Sequence, residues 1–87
     1  MNHETAERIN SAACTAWFFQ QGILARLRRE DVQLLQSVTA AQIQSASEVV
    51  EALNRDALAT SGRRTIACTL DPEAAIRLKA YADSLRP

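Results

Sequence analysis

The sequence predicts an all-α fold, a small helical hairpin or bundle with a short C-terminal helix, in which residues 64–70 are the one candidate strand. Three observations lead there. Only two glycines and two prolines interrupt 87 residues, too few for the closely spaced turns of an all-β chain. Apolar residues recur every three to four positions through two long regions, which is the period of a helix face and not of a strand. Clear punctuation falls only at Gly62, a stop, and at Asp71-Pro72, a restart.

The first helical region runs from about His3 to Arg29, with Ile9, Ala13, Ala16, Trp17, Ile23, Leu24 and Leu27 at helical spacing. Glycine inside a helix costs about 1 kcal/mol relative to alanine, so at Gly22 two readings stand: a kink, or an end with a restart at Ile23. The second region runs from about Asp31 to Ser61 and carries Val32, Leu35, Val38, Ile43, Ala46, Val50, Leu53 and Ala57 along one broad stripe. Within it Thr39 and Gln42 match a capping box, and Val38 with Ile43 occupies the positions of a hydrophobic staple. A restart at Thr39 and an unbroken helix both fit, because no glycine or proline enforces a break.

Between Arg64 and Leu70 the period changes. Ile66, Cys68 and Leu70 alternate with Thr65, Ala67 and Thr69, as on a half-buried strand. A lone strand leaves its backbone groups unpaired, so a real one has to pair with another chain or another segment. Asp71 then caps a helix that begins at Pro72, with Ala75, Leu78, Ala82 and Leu85 as its inner face. One helical domain over residues 1–87 is the expected organisation.

Ten basic and ten acidic residues cancel, so no global field draws the chain to nucleic acid or to an anionic membrane. Hydrophobic residues make up 47%, which is not the composition of a disordered chain, although alanine supplies much of it and buries little area. A domain this small buries only about 60% of the surface its unfolded chain exposes, so stability is modest and a partner is a natural source of further burial. Lys79 is the only lysine among the basic residues, and this arginine bias suggests a bacterial or phage origin.

Cys14 and Cys68 stand apart, without metal-ligand spacing, and read as reduced cytosolic thiols. The N-terminus lacks the basic stretch and apolar run of a secretory signal. Gln20, Gln21, Gly22 and the arginines after them interrupt the longest apolar region, so no membrane span is expected. The expected location is cytoplasmic.

Catalytic chemistry finds little support. His3 is the only histidine and lies in an N-terminal turn prone to fraying; with Glu7 it offers at most half of a structural zinc site. There is no phosphate-binding glycine loop, dinucleotide fingerprint or nucleophile elbow. The expectation is a non-enzymatic chain with no cofactor and no metal. Glu30 with Asp31, and Glu48 with Glu51, read as solubilising charges on polar faces.

Trp17, Phe18 and Phe19 are more informative. Successive helical residues point about 100° apart, so three of them span more than half of the circumference and one stripe cannot hide them all. Either the helix is contacted on several sides by its own chain, or the aromatics meet a partner. A protein interface built on Trp17, Phe18, Phe19, Ile23, Leu24 and Leu27 is the candidate site. Arg26, Arg28 and Arg29, followed by Glu30 and Asp31, read as a solvated helix end.

Arg63 and Arg64 instead lead into the candidate strand. Residues 63–82, with the alternating Thr65 to Leu70, the Asp71-Pro72-Glu73 cap and the amphipathic helix after it, resemble the first half of a ribbon-helix-helix DNA-binding module. The resemblance implies strands of two chains paired into a ribbon, Thr65, Ala67 and Thr69 facing the major groove, and Arg63 and Arg64 near phosphate. That family continues into a second helix, for which the residues up to Pro87 leave no room. A helix-turn-helix over Thr39 to Leu53 lacks a glycine at its turn and the length for two helices. The expected function is that of a small helical interaction protein, a regulator, adaptor or inhibitor that binds another protein or self-associates. The alternative is a DNA-binding regulator using Arg63, Arg64, Thr65 and Thr69.

Overall fold

Residues 1–20 and 28–85 are described by the structure, a computed structural model, without the side chains of Phe19 and Gln20. They form four helices: α1 (His3–Gln20), α2 (Arg29–Ser37), α3 (Ala40–Ser61) and α4 (Pro72–Ser84). The all-α expectation holds, and no strand occurs among the described residues.

Local chemistry sets most of the helix ends. Asn2 Oδ1 accepts the Thr5 N–H at 2.8 Å and so caps α1. Before α2, Arg28 is extended, with φ −75° and ψ 149°. The first helical region therefore does not continue through Arg28 into Arg29, as its periodicity suggests. The question at Gly22 lies outside the described residues, as do Ile23, Leu24 and Leu27.

The second region divides at Val38-Thr39, and the capping box is the reason. Thr39 Oγ1 accepts the Gln42 N–H at 3.1 Å, and Gln42 Oε1 accepts the Thr39 N–H at 2.8 Å. Two N–H groups left over at the start of α3 are thereby satisfied, which offsets the helical bonds lost at the break. Thr39→Ala is expected to cost about 1 kcal/mol in thermal or urea unfolding, while Thr39→Ser should keep most of the cap.

Gly62 ends α3 in the left-handed region at φ 73°, where its N–H reaches the Leu58 carbonyl. A Cβ there would meet no atom within 4 Å, so glycine is favoured by the backbone conformation and not by crowding. Asp71 Oδ1 accepts the Ala74 N–H at 2.7 Å and starts α4, with Pro72 in its first turn.

Helix α1 lies at the centre. Ala12, Ala13 and Cys14 are consecutive and all buried, which at 100° per residue requires contact on more than one side. It packs against α2, α3 and α4, and α4 packs across the other three, whereas α2 and α3 do not pack on each other. Small residues on α1 (Ala6, Ala12, Ala13, Ala16) and α4 (Ala74, Ala75, Ala82) let the backbones approach; Ile9, Leu35, Ile43, Leu70 and Leu78 fill the space between them.

Polar contacts fix α2 against α4. Lys79 Nζ donates to the carbonyls of Leu35 at 3.1 Å and Gln36 at 2.9 Å, and pairs with Asp83 at 3.0 Å. The only lysine thus serves the carbonyl end of α2, where a cation also meets the negative end of the helix dipole. Gln36 Nε2 donates to the Ala82 carbonyl at 3.0 Å.

Several sequence expectations need correction. Leu85 is 44% exposed and does not belong to the inner face of α4. Asp31 is buried beside α1, not solvated, and Arg28 donates to both of its carboxylate oxygens at 3.2 Å. Along α3 the buried stripe passes through Asn54, leaving Leu53 only half-buried.

Residues 64–70 do not form the expected strand: the segment is irregular, with bends at Thr65 and Ala67. Ile66, Cys68 and Leu70 do turn inward as their alternation predicts. Their backbone partners are side-chain amides where a strand would supply backbone. Asn54 Oδ1 accepts the N–H groups of Thr65 at 3.0 Å and Ile66 at 2.8 Å, and its Nδ2 donates to the Ile66 carbonyl at 2.9 Å. Asn10 Nδ2 donates to the Cys68 carbonyl at 2.7 Å. Two buried asparagines, one on α1 and one on α3, thus take the place of a neighbouring strand.

Candidate protein-contact site on helix α1

Glu7, Asn10, Ser11, Cys14, Thr15 and Phe18 follow one another at alternating intervals of three and one residues, so they share one face of α1. Opposite them stand Ile66 and Cys68 of the irregular segment 64–70. Together they line an open cavity of about 310 Å³. Asn10 builds this site as much as it borders it, because its bond to the Cys68 carbonyl holds the second wall in place.

The exposed edge of the cavity is mixed, polar at Glu7 and Ser11 and apolar at Phe18. Phe18 is 40% exposed at its edge, while Asn10 and Cys14 are buried. Asn10 Oδ1 is also buried and has no hydrogen-bond partner among the described residues. Burial pushes the Cys14 thiol well above the usual range, and the neighbouring Cys68 side chain adds to the shift. Cys14 is accordingly held as a neutral thiol, a small and largely apolar group.

The aromatic run is divided. Trp17 packs against the core, and the Arg77 guanidinium of α4 lies 5.1 Å from its ring centroid, within cation–π range. Phe18 points to a different side and is left uncovered there. The side chain of Phe19, with Ile23, Leu24 and Leu27, lies outside the described residues. Of the six residues expected at an interface, Phe18 alone is described as exposed and apolar.

The residues of the DNA-binding alternative are placed differently from a ribbon. Arg64 pairs with Glu51 of α3 at 3.7 Å, and Thr69 Oγ1 donates to the same carboxylate. The Thr65 N–H is held by Asn54, and Arg63 is exposed. Thr65 and Ala67 are exposed, but no strand occurs among the described residues. A second cavity, of about 490 Å³, lies beside this region and is lined among others by Ser47, Glu48, Glu51, Arg55 and Asp71. Its charges are largely engaged within the chain.

Compared with known protein families, curated proteins and solved structures, the chain matches none. Among the described residues no three His, Cys, Asp or Glu side chains stand together where they could share a metal ion. No described helix is long and apolar enough to cross a membrane.

The buried asparagines are the functional-site residues that sequence reasoning passed over. A signal for them was present. Asn10 directly follows Ile9 and lies three residues before Ala13 on the apolar face of α1, and Asn54 lies four residues after Val50. A polar side chain on an apolar stripe needs a partner.

Proposed function

We propose that this chain is a small helical interaction protein, a regulator, adaptor or inhibitor that works by binding another protein chain, a second copy of itself included, without catalysing a reaction. The observation that carries the reading is Phe18: a large aromatic side chain 40% exposed beside an open cavity, in a chain with only four aromatic residues. Aromatic side chains next to concave apolar surface are the usual anchors of protein contacts, and their truncation costs most where a partner excludes water around them.

The cavity suits an apolar side chain of the partner, seated against Phe18, Ile66 and the Cys14 thiol. Such a contact adds burial to a core made largely of alanine. Phe18→Ala is expected to weaken association by about 2 kcal/mol, roughly thirtyfold in Kd, while shifting thermal unfolding much less. Trp17→Ala should behave in the opposite way, because Trp17 packs inward beneath Arg77. Sedimentation over a concentration range, and titration with any captured partner, compare the two variants. Selective loss of association in Trp17→Ala, with Phe18→Ala unchanged, would contradict the proposal.

A further inference from the structure

The same cavity brings together the only two cysteines of the chain. Cys14 lies one helical turn beyond Asn10 on the same face of α1, and the Asn10 amide grips the Cys68 carbonyl at 2.7 Å. Both thiols line the cavity, both are free, and both belong to one packed cluster. They differ in access: Cys14 is buried and Cys68 only partly so. From sequence the two are 54 positions apart and without a motif; the fold makes them neighbours.

We propose that Cys14 and Cys68 form a redox modification site, in which a small hydroperoxide entering the cavity converts the two thiols into an intramolecular disulfide that fastens the 64–70 segment to α1. The sulfur of Cys68, as thiolate, attacks the terminal peroxide oxygen. An S–O bond forms, the O–O bond breaks, and the alkoxide or hydroxide released takes up a proton. The sulfur of Cys14 then attacks the sulfenic sulfur of Cys68. The S–S bond forms, the S–O bond breaks, and the departing hydroxide leaves as water with the Cys14 proton. Two thiols and one hydroperoxide thus give one disulfide, one water and one alcohol, or a second water when the oxidant is hydrogen peroxide.

Access and burial assign the order. Cys68 is the sulfur an oxidant reaches, and Cys14, kept protonated by burial and by its neighbour, is the resolving thiol that reacts only once a sulfenic acid stands against it. The bond would close the long loop between α1 and the 64–70 segment, which removes freedom from the unfolded chain. It would also replace the Asn10 bond as the tether of the second cavity wall, tying the shape of the Phe18 site to redox state. The chemistry itself does not depend on that site being an interface.

The test uses the full native chain. The folded, reduced protein is treated with dilute hydrogen peroxide, blocked with an alkylating agent and mapped by non-reducing peptide mass spectrometry. The expected product is a monomer lighter by two hydrogen atoms, with one Cys14–Cys68 cross-linked peptide pair, reversed by dithiothreitol and unfolding about 10 °C or more above the reduced form. Cys68→Ser should leave Cys14 unoxidised at the same peroxide dose, and Cys14→Ser should stop at the sulfenic acid of Cys68. The proposal is overturned if Cys68 proceeds to sulfinic acid in the wild-type chain, if only intermolecular disulfides form, or if both thiols stay unmodified while an exposed control thiol is consumed.

Discussion

Asn54→Ala is expected to destabilise the chain by about 2 to 3 kcal/mol, since three hydrogen bonds of an almost fully buried side chain are lost together. The effect should be local before it is global. Thr65 and Ile66 lose the acceptor of both N–H groups, so native-state hydrogen exchange at residues 65–68 should accelerate in the variant even where the helices stay protected. Asn54→Asp separates the parts: it keeps the acceptor for Thr65 and Ile66 but loses the donor to the Ile66 carbonyl, and it adds a charge in a buried place. Urea denaturation measures all three chains. A loss below about 0.5 kcal/mol for Asn54→Ala would mean that the 64–70 segment is held by its apolar side chains alone.

Leu78→Ala is expected to cost about 3 kcal/mol or more, within the range for emptying a fully buried leucine site. Leu78 is completely buried on α4, the helix that packs across α1, α2 and α3, so one cavity loosens three contacts. For a chain whose total stability is of the order of 5 kcal/mol, as is usual at this size, the loss takes most of the margin. Thermal unfolding should begin near room temperature, with near-UV circular dichroism fading before far-UV. Ile76→Ala, two residues earlier but 60% exposed, should change stability by less than about 0.5 kcal/mol. Equal effects at the two positions would contradict the packing of α4.

What the sequence made legible was whatever local chemistry decides. The break between α2 and α3 is written in Thr39 and Gln42, because a capping box involves residues three apart. The stop at Gly62 and the start at Asp71-Pro72 are likewise one-turn effects. Periodicity identified Leu35, Ile43, Ala46, Val50, Ala75 and Leu78 as inward-facing, since an amphipathic face does not depend on which neighbour covers it.

The rest depended on tertiary partners. The alternation of Ile66, Cys68 and Leu70 correctly marks which side faces the core, and a strand is the ordinary way to satisfy such a backbone. Here Asn10 and Asn54, distant in sequence, satisfy it instead, and nothing within residues 64–70 could reveal that. The burial of Asp31 arises from the approach of α1 to α2. Leu85 fell outside the core because α4 ends at Ser84, one residue short of the periodic reading. Of the candidate interface, the aromatic run correctly signalled that one stripe could not cover it. Only the fold distinguishes Trp17, closed by Arg77, from Phe18, left open beside the cavity.

Protein contact at the Phe18 face is read by site-specific photo-cross-linking in cells of the source organism, with a photoreactive residue placed at Thr15 on the rim beside Phe18 and, in a second chain, at the exposed Leu58 of α3. One discrete protein adduct is expected from position 15, lost when Phe18→Ala is added, and no such adduct from position 58. Adducts of equal yield from both positions, or an adduct from position 15 that survives Phe18→Ala, would contradict it.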